Sequence, residues 1–247
     1  LDMATAAGQA AGLFATGKLK PTGSQGMLTA FLDRTGGAEA LAAALQSRQL
    51  DPTAARQLLA ALFSTGRSDQ VLMIALNQAI GTAHQTPDYN KAYVQQLVKE
   101  ARQAGQAGRG RILFKTIACA SCHKVGGNGG RAGPDLTAIG TTLSTDRIVE
   151  ELLWPNRQVK EGYSVVRIIT AEGKIHQGYQ RRTQESEAAG DLILQDPGSG
   201  KLVTIKKQEV DQQQTTGSMM PGKLTAVLSE SQLLDLIEYL SELGKIK

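Results

Sequence analysis

The stretch Cys119-Ala120-Ser121-Cys122-His123 limits what this chain can bind and do more than any other part of the sequence. Its two cysteines are the only ones among 247 residues, and a histidine directly follows the second. A Cys-x-x-Cys-His sequence is typical of c-type haem attachment, in which both thiols bond to one macrocycle and the histidine is an iron ligand. We therefore predict one covalent haem c, held by Cys119 and Cys122, with His123 as the proximal ligand.

Two other uses of a Cys-x-x-Cys pair must be weighed: a dithiol or disulfide redox pair, and part of a zinc site. A structural zinc site takes four protein ligands, and beyond the motif the chain offers only two more histidines, His84 and His176. His176 lies in a predicted strand and is not expected to bind the haem iron. Haem is therefore favoured, with a disulfide or dithiol as the main alternative.

The second axial ligand is predicted in the sequence Gly217-Ser218-Met219-Met220-Pro221-Gly222. A methionine thioether is a common sixth ligand of an electron-transfer haem, and a loop must present it opposite the histidine. We predict Met220 as this ligand, with Met219 as its packing neighbour and main alternative. The metal ligands would then be His123 and Met220.

A glycine-rich stretch after the motif ends at Pro134. A metal-bound histidine usually donates its second ring N–H to a carbonyl or carboxylate, which fixes the ring orientation. We predict that the carbonyl of Pro134 accepts this hydrogen bond from His123. No catalytic constellation is expected in the chain.

Residues 1–104 have the pattern of successive helices rich in Ala, Leu and Gln and separated by Gly and Pro signals. The predicted helices lie near 2–15, 25–34, 37–47, 52–64, 68–81 and 88–104. We predict a helical domain over residues 1–104, either a repeat of the armadillo type or a plain bundle.

Glycines at 105, 108 and 110 mark a boundary, and residues 105–247 are predicted to form a second domain. It contains helical patterns before the motif, near 144–153 and after a capping box at Ser229. Between 163 and 206 the periodicity alternates, which predicts two β-hairpins, followed by a polar run through 212–214. The fold class is therefore mainly α, with a small antiparallel insert at about 163–206.

Composition allows a globular chain with a sizeable core, since 41% of the residues are hydrophobic. No apolar run approaches the ~20 residues of a membrane span. The net charge of +4 is mild and does not favour nucleic-acid binding. Between Glu100 and Asp135, however, there are six basic residues and no acidic one. They form either an ordinary solvated face or a positive rim that steers an acidic redox partner.

The order of haem-motif helix, Gly-Pro-Asp loop, Met-Pro loop and leucine-rich C-terminal helix resembles class I cytochrome c. Residues 105–244 are similar to the haem-binding domain at the C-terminal end of large planctomycete-type proteins. The motifs that carry this resemblance are Gly110-Arg111-Ile112-Leu113-Phe114, Gly133-Pro134-Asp135-Leu136, Gly162-Tyr163 and Ser218-Met219-Met220-Pro221. The resemblance implies a haem c with axial ligands His123 and Met220 that passes single electrons. Trp154-Pro155 stands where that family tends to have Asp-Pro.

In that family a propeller-like sugar dehydrogenase module and helical repeats often precede the cytochrome. The expected function is therefore an electron carrier, not itself an enzyme, that relays electrons from a dehydrogenase domain or redox partner protein. The alternatives are a haem sensor or peroxidase-like protein with a labile sixth ligand, and a structural module whose helical region docks a partner. Because bacteria attach haem c outside the cytoplasm, a periplasmic or otherwise extracytoplasmic location is expected. The absence of an initial methionine suggests a processed protein or a piece of a longer one.

Overall fold

The computed structural model describes residues 2–67, 69–81, 86–117, 119–222 and 224–245, so His84 lies outside the described residues. Within them there are twelve α-helices and seven strands. The helices are α1 (Met3–Ala15), α2 (Pro21–Leu32), α3 (Gly37–Ser47), α4 (Pro52–Ser64), α5 (Gln70–Ile80), α6 (Lys91–Ala104), α7 (Ala107–Thr116), α8 (Cys119–Cys122), α9 (Ile139–Thr142), α10 (Thr145–Leu153), α11 (Gln184–Ala189) and α12 (Glu230–Glu242). The strands are β1 (Lys124–Val125), β2 (Asn128–Gly129), β3 (Ser164–Thr170), β4 (Ile175–Arg181), β5 (Leu192–Gln195), β6 (Leu202–Ile205) and β7 (Val210–Ser218).

The described residues form two compact units. We call Leu1–Ile80 together with Lys160–Met219 the sheet unit, and Gly81–Val159 together with Met220–Lys247 the motif unit. In the sheet unit α3 packs between α1 and α5, and α2 packs on α4. None of the described helices is long and apolar enough to cross a membrane.

The predicted mainly α class is confirmed only in part. Helices account for about 53% of the described residues, but the antiparallel sheet has five strands in the order β6-β5-β4-β3-β7. The fifth strand, β7, lies in the polar run beyond the predicted insert. Its side chains at 211–216 are exposed, so the apolar alternation that marks a half-buried strand is absent there. This segment is a strand because its backbone pairs with β3 along the whole length of β3.

The two units differ from the predicted domains at 1–104 and 105–247. The apolar face of α6, with Val94, Leu97 and Ala101, packs into the core of the motif unit. The sheet, in contrast, is hydrogen-bonded to the N-terminal helical region. The backbone N–H of Ile175 donates to the carbonyl of Asp33 at 2.9 Å, and that of Thr35 donates to Gly173 at 3.2 Å.

The centre of the motif unit is the crossing of α7 and α12. A Cβ at Gly110 would lie 2.0 Å from the carbonyl oxygen of Asp235, so only glycine permits this approach. The rings of Phe114 and Tyr239 pack beside the crossing with centroids 5.7 Å apart. The predicted capping box at Ser229 is confirmed at the start of α12.

A buried carboxylate reinforces the same crossing. Asp235 accepts hydrogen bonds from the backbone N–H of Gln106 at 2.7 Å and from Nε and Nη2 of Arg109 at 2.7 and 2.9 Å. Burial acts to raise the pKa of Asp235, but the hydrogen bonds from Arg109 and Gln106 outweigh it and the pKa lies below its usual value. The start of α7, and with it the approach to the Cys-x-x-Cys-His motif, is therefore fixed on α12.

Candidate haem-binding site

The two cysteines lie on one helical turn, α8, directly after α7. The backbone N–H of His123 donates to the carbonyl of Cys119 at 2.9 Å and closes this turn. Residues three apart on a helix are neighbours on the same face, so Cys119 and Cys122 can both reach one edge of a macrocycle. Cys119 belongs to the buried core of the motif unit.

The imidazole of His123 is held in one tautomer. Its Nδ1 lies 2.8 Å from the carbonyl oxygen of Pro134. A carbonyl can only accept, so Nδ1 carries the proton and donates, which leaves the lone pair of Nε2 for a metal. Burial lowers the pKa of His123, partly offset by the hydrogen bond to Pro134, and this favours the neutral ring that binds metals.

The glycine-rich loop at 126–136 packs directly against the Cys-x-x-Cys-His motif and is hydrogen-bonded to it. Backbone N–H groups of Gly130 and Gly133 donate to the carbonyls of Ala120 and Cys122 at 2.9 and 2.8 Å. A Cβ at Gly133 would lie 2.5 Å from Cε1 and 2.7 Å from Nδ1 of the His123 ring, closer than real side chains approach. From the sequence, Gly133 is one of several glycines expected to let the backbone wrap tightly after the motif, and its contact with the His123 ring is seen only in the fold.

The thiols are in surroundings that disfavour the thiolate. Burial, with a smaller contribution from Cys122, raises the pKa of Cys119 to about 12, and burial raises that of Cys122 to about 11. Dithiol exchange and zinc binding both use the thiolate. In addition, no group of three or more Cys, His, Asp or Glu suited to a metal ion occurs among the described residues. The raised thiol pKa values weigh against the dithiol alternative, and the lack of such a group among the described residues weighs against zinc.

The two candidate methionines are in different places. Met220 is half-buried and packs against the hydrophobic core of the motif unit, which also contains Cys119. Met219 is buried in a separate cluster of the sheet unit, with Val165, Tyr179 and Tyr163. Of the two thioethers, only that of Met220 shares a core with the motif.

The donor set fits a covalently bound haem. Two cysteines share one face of a helical turn, His123 keeps Nε2 available in an oriented ring, and the thioether of Met220 lies in the same unit. His176, by comparison, lies on β4 in the sheet unit, where burial lowers its pKa.

Residues 107–163 match the family model of cytochrome c. The match begins with α7 and covers the motif, the glycine-rich loop and α10. It supports a cytochrome c-like haem-binding domain, with a covalently bound haem c and electron transfer through that haem. Cytochromes c act with redox partners, and such domains are typically extracytoplasmic. No curated protein matches the chain.

The cytochrome c match includes Trp154, at the end of α10, where the resembling family tends to have aspartate. The indole Nε1 donates to the carbonyl of Pro87 at 2.9 Å. The ring of Tyr89 meets the indole edge-on at a centroid distance of 5.3 Å. Trp154 thus ties α10 to the segment before α6, a structural contact that the sequence pattern did not indicate.

The basic residues around the Cys-x-x-Cys-His motif are mostly exposed. They are Arg102, Arg109, Arg111, Lys115 and Arg131, together with the half-buried Lys124. Arg109 differs from the others because Asp235 neutralises it. On α7, Arg111 and Lys115 flank Ile112, which is 61% exposed. This outward surface of α7, residues 111, 112 and 115, is called the α7 patch below.

Proposed function

We propose that this chain is an electron carrier whose single haem c has His123 and Met220 as axial ligands and relays electrons from a dehydrogenase domain or partner. The observation that carries the proposal is the state of His123, whose Nδ1–H is bound to Pro134 while Nε2 remains available. The presence of Met220 in the same core as the motif supports the second ligand.

When bound, the haem supplies a one-electron iron couple. His123 and Met220 would hold the iron, and with both of them bound no coordination position would be left for a substrate. The hydrogen bond to Pro134 holds the imidazole plane and increases its basicity, whereas a neutral thioether favours the reduced state and raises the potential. Cys119 is buried in the apolar core of the motif unit, against which Met220 packs.

The α7 patch supports docking of an acidic redox partner. An exposed aliphatic side chain beside two cations can lose its water on contact with a partner, while the cations attract that partner over a longer distance. Such attraction acts mainly on the association rate. We place this encounter outside the cytoplasm, in the periplasm or an equivalent compartment, because that is where bacteria attach haem c.

The ligand assignment is tested by the optical spectrum and reduction potential of Met220→Leu. We expect loss of the methionine–iron absorption of the ferric protein and a lower potential, because the leucine side chain cannot ligate. Met73→Leu, a change at a buried methionine of α5, is the matched control and should leave both unchanged. An unaltered spectrum in Met220→Leu would refute the assignment, and rapid CO binding to the reduced wild type would favour the labile-ligand sensor or peroxidase-like alternative.

The docking proposal is tested by charge reversal in Lys115→Glu, with Lys201→Glu in the exposed loop before β6 as control. With an acidic flavodoxin-type donor, Lys115→Glu should slow electron transfer several-fold at low salt and weaken the salt dependence. If Lys115→Glu and Lys201→Glu slow electron transfer equally, the net charge of the protein guides the encounter and the α7 patch does not.

A further inference from the structure

We propose that Thr137 is a positioning residue for His123, because its hydroxyl closes the glycine-rich loop that holds the carbonyl of Pro134 against the imidazole. The inference rests on the proposed function, in which His123 binds the iron. It deepens that function by naming the side chain that keeps the hydrogen bond to the imidazole in place. The residues that carry the argument all belong to the motif unit.

The end of the loop lies directly beside His123. The backbone N–H groups of Gly133 and Leu136 donate to the carbonyls of the residues on either side of His123, each at 2.8 Å. Between these two hydrogen bonds, the carbonyl of Pro134 accepts from Nδ1 of His123, also at 2.8 Å. The position of this carbonyl therefore depends on how firmly residues 133–136 are kept beside the motif.

The hydroxyl of Thr137 joins the two ends of the loop. Its Oγ1 accepts from the backbone N–H of Gly126 at 2.9 Å and donates to Oδ1 of Asp135 at 2.5 Å. The same carboxylate oxygen also accepts from the backbone N–H of Thr137 at 2.8 Å. A hydroxyl can accept and donate at the same time. One side chain thus connects the first residue of the loop to the residue directly after Pro134.

The carboxylate of Asp135 makes this connection stronger than a contact between neutral groups. The hydrogen bonds from the side chain and backbone of Thr137 lower the pKa of Asp135, with a smaller contribution from the charge of Lys124. The group is therefore ionised at neutral pH and only accepts hydrogen bonds. Hydrogen bonds to an ionised acceptor are roughly twice as strong as those between neutral groups.

The loop has little stiffness of its own. Five of the eight residues from 126 to 133 are glycine, and Gly126 and Gly127 have φ values of +57° and +80°. Glycine adopts such conformations without strain, but it also has the greatest conformational freedom to lose. The loop therefore depends on hydrogen bonds made at its ends, and the Thr137 hydroxyl makes one at each end.

The hydrogen bond from Nδ1 of His123 to Pro134 connects this loop to the iron ligand. A carbonyl acceptor makes the imidazole a more basic ligand, and hydrogen bonding of this kind tunes the reduction potential. When the loop opens locally, the carbonyl leaves the ring and water reaches the Nδ1 proton. Thr137 thus controls two measurable quantities: the reduction potential and the rate at which the Nδ1 proton exchanges with solvent.

The experiment compares Thr137→Val, Thr137→Ser and the wild type as the haem-loaded full chain. Valine keeps the shape of threonine without the hydroxyl, whereas serine keeps the hydroxyl. The readouts are the exchange of the His123 Nδ1 proton with D2O, followed by NMR of the reduced protein, and the reduction potential. Thr137→Val loses two hydrogen bonds, so the proton should exchange roughly five- to tenfold faster and the potential should rise. Thr137→Ser should stay close to the wild type in both.

Ser199→Ala is the matched control. In the loop between β5 and β6, the hydroxyl and backbone N–H of Ser199 both donate to Oδ1 of Asp196 at 2.7 Å, as those of Thr137 do to Asp135. This loop belongs to the sheet unit, so the change should leave the exchange rate and the potential unaltered. A second pair tests the acceptor: Asp135→Ala removes it and should behave as Thr137→Val does, whereas Asp135→Asn keeps Oδ1 and should resemble the wild type.

Four outcomes would overturn the inference. Wild-type exchange and potential in Thr137→Val would remove the positioning role, and the proposed function would still stand if Met220→Leu loses the methionine–iron absorption. Equal changes in Thr137→Ser and Thr137→Val would show that the hydroxyl is not the cause. Equal changes in Ser199→Ala would reduce the effect to general loosening. If the wild type has no Nδ1 proton on an iron-bound His123, that residue is not the ligand and both proposals fail.

Discussion

Replacing Gly133 by alanine should displace the imidazole of His123, because the added methyl group would occupy the space of the ring. The Cβ would lie 2.5 Å from Cε1, whereas ordinary contact begins at 3.4 Å. Ring and loop must therefore separate by roughly 0.9 Å. Added to the 2.8 Å between Nδ1 and the Pro134 oxygen, such a shift takes the pair beyond hydrogen-bonding distance.

The expected cost follows from these two effects. Overpacking a filled site costs about 1–3 kcal/mol, and a lost hydrogen bond costs about 0.5–1.5 kcal/mol. We expect Gly133→Ala to lower the free energy of unfolding by about 1.5–4.5 kcal/mol, which corresponds to a fall of roughly 3–18 °C in the unfolding midpoint. The imidazole would also lose the contact that fixes its tautomer.

The assay is guanidinium unfolding followed by circular dichroism, together with the ferric optical spectrum. Gly108→Ala is the matched control, because a Cβ at this α7 position meets nothing within 4 Å. That change should stabilise the protein by about 0.5–1 kcal/mol, since alanine favours a helix more than glycine does. A Gly133→Ala protein with wild-type stability and spectrum would refute the proposed seat of the His123 ring.

Two further changes test contacts that hold the motif unit together. Asp235→Asn should cost about 1–3 kcal/mol at pH 7, because Arg109 loses its charged partner. Since the folded-state pKa of Asp235 is lowered from 3.8, this stabilisation is complete above about pH 4 and is lost as the pH falls through the folded pKa. The gap between wild type and variant should therefore close in acid, and a gap that stays constant in denaturation from pH 7 to 2 would contradict this reasoning. Trp154→Phe removes the donor to Pro87 and should cost about 0.5–1.5 kcal/mol in the same unfolding assay; an unchanged midpoint would show that the hydrogen bond contributes nothing.

Local signals predicted most of the helices and their caps. Asp51 caps α4 through the backbone N–H groups of Thr53 and Ala54, and Ser229 caps α12, as their sequence patterns indicate. These features depend on a few neighbouring residues, so spacing and residue type are sufficient to identify them. Strand β7 has no such signal, because its exposed glutamines and threonines satisfy neither an apolar alternation nor a helical period.

The sequence also does not show which helices and strands pack together in each unit. Helix α6 follows five helices of similar composition, yet its apolar face packs with α12, which lies more than a hundred residues later. The strand order places β7 beside β3 although three strands separate them along the chain. Neither partner choice is encoded by the segment alone, since an apolar face can pack against any complementary one.

The sequence by itself determined the chemistry of the candidate site. Two cysteines and a histidine within five residues predict a haem c because covalent spacing decides which atoms can reach one macrocycle. Only the tertiary structure decided that Gly133 leaves no room for a side chain beside the His123 ring, and that adjacent methionines lie in separate clusters, Met219 with Tyr179 and Met220 in the core of the motif unit. The physical reason is that burial and packing depend on residues that folding brings together from distant parts of the chain, and the local sequence does not name those partners.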